Sequence, residues 1–568
     1  MIMNVFSDIF SRNLLADFLG VKRSTLTYLL YKKETKNCYS VFTIAKKSGG
    51  CREICSPSND LKMIQRKLAS ALWAHQKSIL ESQNKHPNIS HAYEKKKNII
   101  TNASIHKNKR FVLNFDLEDF FGSFHFGRVK GFFEKNRNFL LPSNVATVIA
   151  QIACYSGSLP QGAPSSPIIT NLIFQIADMR LLKVAKKYKM DYTRYADDLT
   201  FSTNRSAFIN EFSAFMEQLH HELSRAGFRM NEKKTRLIYR DSRQDVTGIT
   251  VNKKLGIRSD FVRATRAMAH RLYTQGRFEI DGKSGTIDML EGRFAFIDQL
   301  DHYNNKFDGM RHNHRELNGR EKQYQAFLFF KYFFSNKKPL IVTEGKTDAR
   351  YLKAALKSLH QEYPMLIEKL GENQFKFKIS FLKKTKRLKY FLDIELDGAS
   401  AMKSIRNYYT GANNLPNLFR KFQKLSNGSP LNPVILLFDN ELQTEKPLKD
   451  FLCGDHYKNS RAEIKSDSHS LLIPNSKLYV VVPPLPSNLI ECEIEDLFTR
   501  DVLERKIGGK IFCRDKGFDK EKHYSKEVFS KYILANYQTL DFYGFKPLLD
   551  VLSNIVASQV DNSSQQES

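Results

Sequence analysis

Three carboxylates set what this chain can do. Asp197 and Asp198 stand side by side in Tyr195-Ala196-Asp197-Asp198, and Asp116 ends the apolar run Phe111-Val112-Leu113-Asn114-Phe115-Asp116. Adjacent carboxylates repel each other; solvent makes that tolerable, and a divalent cation between them makes it favourable. A third carboxylate brought beside the pair makes a cradle for two Mg²⁺ ions about 3.5–4 Å apart, which activate an attacking hydroxyl and stabilise a leaving pyrophosphate. Taken alone, Asp-Asp reads as an acidic hairpin tip, since exposed charges are mostly just solvated.

Strands must hold such a cradle. Apolar and polar residues alternate in Tyr192-Thr193-Arg194 and again in Leu199-Thr200-Phe201-Ser202. That pattern predicts two short strands joined by a tight turn with Asp197 and Asp198 at its tip. The block resembles the palm of reverse transcriptases, with Asp116 as the motif A aspartate and Tyr195-Ala196-Asp197-Asp198 as motif C.

The bulk composition agrees. A chain of 568 residues is too long for one core and predicts two to four domains. Its hydrophobic content of 41% supports packed domains rather than disorder. A net charge of +29 and a pI of about 9.6 favour a polyanionic partner. No apolar run of membrane-spanning length and no signal peptide is visible, so a cytoplasmic protein without a membrane partner is expected. Seven cysteines without paired spacing fit a reducing compartment, and no Cys/His cluster joins Cys51 and Cys55 in a zinc site.

Along the chain, residues 1–45 begin with a helical apolar face built from Phe6, Ile9, Phe10, Leu14 and Phe18. Residues 46–240 read as fingers and palm. The stretch Val41 to Ile54 reads as a hairpin with a Gly-Gly turn and basic flanks, and it resembles the fingers hairpin of reverse transcriptases. That resemblance makes Lys47 and Arg52 the clamp on the nucleotide triphosphate, which suits a point charge and a bidentate fork; a solvated basic turn is the alternative. Phe121, five positions after Asp116, falls where the family places the side chain under the incoming sugar, where a ring excludes a 2′-hydroxyl. Plain core packing is its other reading. Ser158 to Pro167 matches motif B, whose Gln161 and Gly162 are implied to lie under the nucleotide and template base. Gly227 to Thr235 resembles motif D, in which Lys233 or Lys234 would be the general acid for pyrophosphate.

Two further strings narrow the resemblance to retron reverse transcriptases. Asn102-Ala103-Ser104-Ile105-His106 fits their NAxxH signature, and Val246-Thr247-Gly248 their VTG signature. The resemblance implies that Asn102, His106, Thr247 and Gly248 contact template or RNA. Residues 241–335 are read as a primer grip and a basic helical thumb, with Arg263 and Arg266 on nucleic-acid backbone.

Residues 336–568 change pattern. Pro339-Leu340-Ile341-Val342-Thr343-Glu344-Gly345 is an apolar strand with an acid at its carboxyl end, where α/β sites form. Pro433 to Phe438 is a second buried strand, leading to Asp439 and Glu441, and a third acidic run surrounds Glu495 and Asp496. Together these resemble a Toprim domain, which holds Mg²⁺ on a Glu and a DxD pair; Glu441 departs from that pattern by one methylene. The acids around Glu495 resemble those of OLD-type Toprim nucleases. The expected fold is therefore an α+β right-hand polymerase of fingers, palm and thumb, followed by an α/β Toprim-like domain.

The resemblance implies RNA-directed DNA synthesis from dNTPs, primed by a 2′-hydroxyl of a cognate structured non-coding RNA, to give branched msDNA. It implies two Mg²⁺ ions in the polymerase site and one or two in the Toprim-like site on Glu344, Asp439 and Glu441. It also implies a nuclease effector in antiphage defence, with a homo-oligomer on nucleic acid as a further possibility. The alternative is a group-II-intron-like or other defence-associated reverse transcriptase with a non-catalytic Toprim module.

Overall fold

The computed structural model describes residues 6–45, 49–84, 88–307, 316–441, 447–452, 464, 469–486, 489–514 and 519–564. The chain divides into two compact units, Met1–Arg258 and Ser259–Ser568.

In the first unit, strands β1 (Tyr39–Ala45) and β2 (Cys51–Pro57) form an antiparallel hairpin, with Ala45 opposite Cys51. Gly49 and Gly50 carry φ of +88° and +78° there, a region that favours glycine. Lys47 lies outside the described residues. The central sheet has the order β4-β5-β3-β6, all antiparallel, from β3 (Phe111–Asp116), β4 (Asp191–Tyr195), β5 (Asp198–Thr203) and β6 (Arg236–Tyr239).

The strand period of two gives this sheet two different faces. Phe111, Leu113, Phe115, Leu199 and Phe201 point into a core shared with helices Ser166–Lys187 and Phe208–Arg225, through Phe174, Leu181, Phe208, Phe215 and Leu219. Asn114, Thr200, Ser202 and Thr193 take the opposite face, together with Asp116 and Asp198. Helix Ile99–Ile105 covers part of that face. It begins in a capping box: the Asn98 side chain accepts from the N–H groups of Ile100 and Thr101, and the Thr101 hydroxyl returns to the Asn98 N–H. Such a cap stabilises a helix start by about 1 kcal/mol. Strands β7 (Asp245–Val246) and β8 (Ile249–Thr250) make a short hairpin whose Asp245 carbonyl accepts from Asn114 Nδ2.

The second unit holds a five-stranded sheet in the order Ser380–Phe381, Leu340–Thr343, Val434–Leu437, Leu478–Val481, Ser470–Leu472. The first four strands are parallel and the last is antiparallel. Unbroken apolar runs such as Val434-Ile435-Leu436-Leu437 suit strands covered on both sides. Leu340, Val342, Val434 and Leu436 face one core, and Ile341, Ile435 and Leu437 face another.

The first of these cores also takes up the helices expected to be a thumb, Ser259–Gln275, Ile287–Phe307 and Gly319–Phe329. Tyr273 packs against Phe330 and Phe422 with ring centres 4.7 and 4.8 Å apart. Residues 259–568 form one compact unit, in which the aromatic run Tyr324–Phe334 shares a core with the sheet strands. Among the described residues, no helix is long and apolar enough to cross a membrane.

Candidate active site

Asp116 stands directly opposite Asp198 across the β3–β5 pair, and residues so paired share a face. Their carboxyl groups hydrogen-bond each other. Asp197 joins them through a two-residue turn, and its carbonyl accepts from the Leu117 N–H at 3.0 Å. Ala196 in that turn has φ of +57°, a left-handed conformation that costs a residue with a Cβ about 1–2 kcal/mol. Strain of this kind persists only where the surroundings enforce it.

A buried arginine enforces it. Arg194, fully buried, donates from Nη1 to the Ala196 carbonyl at 3.1 Å and from Nη2 to Asp178 at 2.8 Å. It also reaches Asn171 and lies over the Phe174 ring. Tyr192 adds a hydrogen bond to Asp178 at 2.8 Å. The motif B helix is thereby tied to the carboxylate turn from behind. Breaking a buried pair by removing one partner costs about 3–5 kcal/mol. Arg194→Met is therefore expected to lose that much stability in urea unfolding, with Asp178→Leu recovering much of it in the double variant. Primer extension should stay depressed in that double variant, because the Ala196 carbonyl has still lost its anchor.

The carboxylates sit in an unbalanced field. Burial, together with Asp116 and Asp197 nearby, pushes Asp198 up to about 8. Burial opposes ionisation of Asp116 too, but hydrogen bonds from Asp198 and Lys234 outweigh it and hold Asp116 below its ordinary value. Burial raises Asp197 as well, and Arg52 opposes that shift through its charge. Among the described residues no three His, Cys, Asp or Glu side chains form a preformed ion cage. The donor set nonetheless suits Mg²⁺: hard oxygen ligands, crowded, and short of positive charge.

A pH dependence follows from Asp198. Its folded value of about 8 lies above the ordinary 3.8, so its favourable contribution is complete below about 4 and is lost as pH rises through 8. Without divalent ions, the melting temperature should therefore fall across that window. Bound Mg²⁺ requires the proton to leave, so the rise in melting temperature on adding Mg²⁺ should grow with pH and level off above about 8. Differential scanning fluorimetry at several pH values reads both.

The other expected site residues divide. Arg52 is exposed on β2, and its charge reaches Asp197. Lys234, not Lys233, forms the ion pair with Asp116; Lys233 is exposed one position before it. Phe121 is half-buried, its ring 5.5 Å from that of Phe120. Gln161 and Gly162 meet the fingers hairpin: the Gln161 carbonyl accepts from the Cys55 N–H at 2.8 Å. A Cβ on Gly162 would lie 2.7 Å from the Cys55 carbonyl, so the close approach that glycine permits here is that of strand β2.

Asn102 and His106, expected on template or RNA, have buried side chains. They are 1% and 0% exposed, and His106 bridges Ser202 and Thr193 at 2.7 Å each. Asn102 Oδ1 accepts from the Thr193 hydroxyl at 2.7 Å. The two residues fasten helix Ile99–Ile105 to the β4–β5 hairpin. Thr247 and Gly248, with φ of +47° and +81°, form the β7–β8 turn, and the Thr247 hydroxyl approaches the Ile99 carbonyl at 3.5 Å. The NAxxH and VTG strings therefore pack together. Arg263 and Arg266 are exposed on helix Ser259–Gln275, beside a cavity of about 700 Å³ also lined by Arg320.

A second acidic group lies at the carboxyl ends of the parallel strands. Glu344 Oε1 accepts from the Asp439 N–H at 3.3 Å, and Asp439 Oδ1 accepts from the Ile494 N–H at 3.0 Å. Burial raises Glu344 to about 7, and burial with Glu344, Asp348 and Glu495 nearby lifts Asp439 well above the carboxylate range. Glu441 is buried, and its charge adds to the shift on Glu344. Asp348, absent from the sequence expectations, accepts from the Gly345 N–H at 2.8 Å. Glu495 is 1% exposed and pairs with Lys526 at 3.2 Å, whereas Asp496 turns to Arg514 at 2.7 Å.

Residues 44–252 match the family described as reverse transcriptase (RNA-dependent DNA polymerase). With the paired aspartates at the sheet end, this gives the first unit the class of a reverse transcriptase. The chain is 34% identical over 281 residues to the retron Ec86 reverse transcriptase of Escherichia coli, covering 49% of this chain and 80% of that protein. It is 31% identical to the retron Mx162 and Mx65 reverse transcriptases of Myxococcus xanthus, covering 52% and 50% of this chain and 65% and 66% of those proteins. The chain belongs to the retron reverse transcriptase family.

Proposed function

We propose that this chain copies its own structured non-coding RNA into branched msDNA, starting from a 2′-hydroxyl, and that its second unit carries a Toprim-like nuclease effector used in antiphage defence. The polymerase reading is carried by one observation: Asp116 and Asp198 face each other across adjacent strands, with Asp197 next to them in a strained, braced turn.

Asp116, Asp197 and Asp198 would hold Mg²⁺, which when bound supplies charge stabilisation for the transferring phosphoryl group. Lys234 stands beside Asp116, where a protonated ammonium can deliver a proton to the departing pyrophosphate. Its pKa is raised by the hydrogen bond to Asp116, which keeps it an acid at neutral pH. Arg52 would bind triphosphate oxygens, and Phe121 would bar a 2′-hydroxyl on the incoming sugar. Arg194 acts on none of these atoms; it holds the turn that carries the aspartates.

In the second unit, Glu344, Asp439 and Glu441 would hold Mg²⁺ for phosphodiester hydrolysis, with Asp348 and Glu495 completing the acidic group. The crowding of buried acids there supports a cation site. Sequencing nucleic acid co-purified with the chain tests the retron reading. A short cDNA joined through a 2′–5′ branch to an RNA is the expected finding. Unbranched or absent cDNA from a cell that encodes the RNA would refute it.

A further inference from the structure

Helices Phe126–Lys135 and Ser166–Lys187 and the segment after Phe208–Arg225 enclose a cavity of about 580 Å³. It belongs to the helical side of the first unit, whereas Asp116 and Asp198 lie on the other face of the sheet. Its floor is apolar, made by Phe132, Ile173 and Phe228. The charged residues of its lining are all basic: Arg128, Lys135, Arg137, Arg180 and Arg225, with no carboxylate among the lining residues. Among the described residues, Arg137, Arg180 and Arg225 have no acidic partner.

Five cations around an apolar floor repel one another; Lys135 has the Glu134 carboxylate nearby, and the lining itself supplies none. Arg128 is the best fixed. It lies over the Phe228 ring at 4.7 Å and donates to the carbonyls of Ser123 and Ala226 at 2.9 and 2.7 Å. Neither partner is charged, so its half-buried charge awaits an anion. Ile176, on the same wall as Ile173, is 52% exposed, so the apolar surface reaches solvent among the cations.

A ligand that satisfies both parts needs negative charge at its edge and a flat apolar body. A nucleotide of a single strand has both, with phosphates for the guanidinium groups and a base for the floor. The cavity volume accommodates one base with its sugar. An acidic amphipathic peptide would satisfy the same charges, but a net charge of +29 on a polymerase chain favours the polyanion it already handles.

We infer that this cavity is a second nucleic-acid site, taking one unstacked nucleotide of single-stranded RNA with its base on the Phe132–Ile173–Phe228 floor and its flanking phosphates on Arg137, Arg180 and Arg225. The site rests on the chain being a nucleic-acid enzyme, not on which carboxylates act. It would hold a strand of the RNA away from the carboxylates while another part is copied.

The test uses the full chain and a short single-stranded RNA carrying 4-thiouridine. Irradiation and peptide mapping should place a crosslink within residues 128–137, 173–180 or 225–228. Arg180→Glu with Arg225→Glu should abolish that crosslink. It should also lower the log–log salt slope of RNA binding by about 1.4, at about 0.7 for each phosphate no longer neutralised. Extension of a saturating, pre-annealed primer–template should keep its wild-type rate. Ile176→Trp, which fills the cavity and leaves the rim intact, should also lose the crosslink, and it decides the matter if the charge reversals fail to fold. Crosslinks confined to other segments would overturn the site. A crosslink at the cavity in a chain that extends no primer would sink the polymerase reading and leave this site standing.

Discussion

Exchange of both turn aspartates, Asp197→Asn with Asp198→Asn, is expected to end branched DNA synthesis. The loss should be at least about a thousandfold, since charge stabilisation by bound metal supplies several kcal/mol and each 1.36 kcal/mol is tenfold in rate. Asparagine keeps the shape and removes charge. Burial and mutual repulsion already disfavour the ionised forms of Asp197 and Asp198. The variant should therefore melt at or above the wild-type temperature in the absence of divalent ions. A stable fold with no product separates chemistry from folding. Branched DNA at wild-type amounts would remove these residues from the site.

The second large effect separates the two units. On the proposed nuclease reading, Glu344→Ala is expected to leave cDNA synthesis at wild-type level and to abolish Mg²⁺-dependent hydrolysis of nucleic acid and the defence or toxicity that would depend on it. Glu344 lies at the end of the strand Leu340–Thr343 and accepts a hydrogen bond from the Asp439 backbone. Its loss removes a carboxylate from the acidic group and leaves the apolar sheet intact. Hydrolysis and phage plaque counts measured beside cDNA yield give the comparison. Defence retained in the variant would point to a binding platform instead of a nuclease.

How much of this could be read from the residues depends on where their partners lie. Asp116, Asp197 and Asp198 are legible because period-two alternation places Asp116 and Asp198 at strand ends and Asp197 in the turn between two strands. Arg194 is not: a cation in an alternating strand reads as solvent-facing. Its burial depends on Asp178, sixteen positions earlier on a helix, and on a carbonyl two residues later. Asn102 and His106 are visible as a signature, but their spacing alone suits an Asn capping a turn and a half-buried His. Their partners Thr193 and Ser202 come from a hairpin about ninety residues on, and only the fold brings them inside. Lys233 and Lys234 are indistinguishable by type, and the short helical turn Glu232–Lys234 aims the second at Asp116. In the second unit the strand-end acids Glu344 and Asp439 follow from apolar runs that stop at an acid. Asp348 reads as an ordinary helix-start acid until the Gly345 turn folds it back. The aromatic run Tyr324–Phe334 reads as the end of a thumb; its rings face a sheet core assembled from later strands.

The measurement that bears most directly on the whole account is incorporation of labelled dNTPs by the purified full chain on an RNA template with an annealed DNA primer. Wild-type protein should extend the primer with Mg²⁺, stop when the ion is chelated, and show no extension as Asp116→Asn. Absence of extension by the wild type, or undiminished extension by Asp116→Asn, would contradict the assignment of the paired aspartates to nucleotidyl transfer.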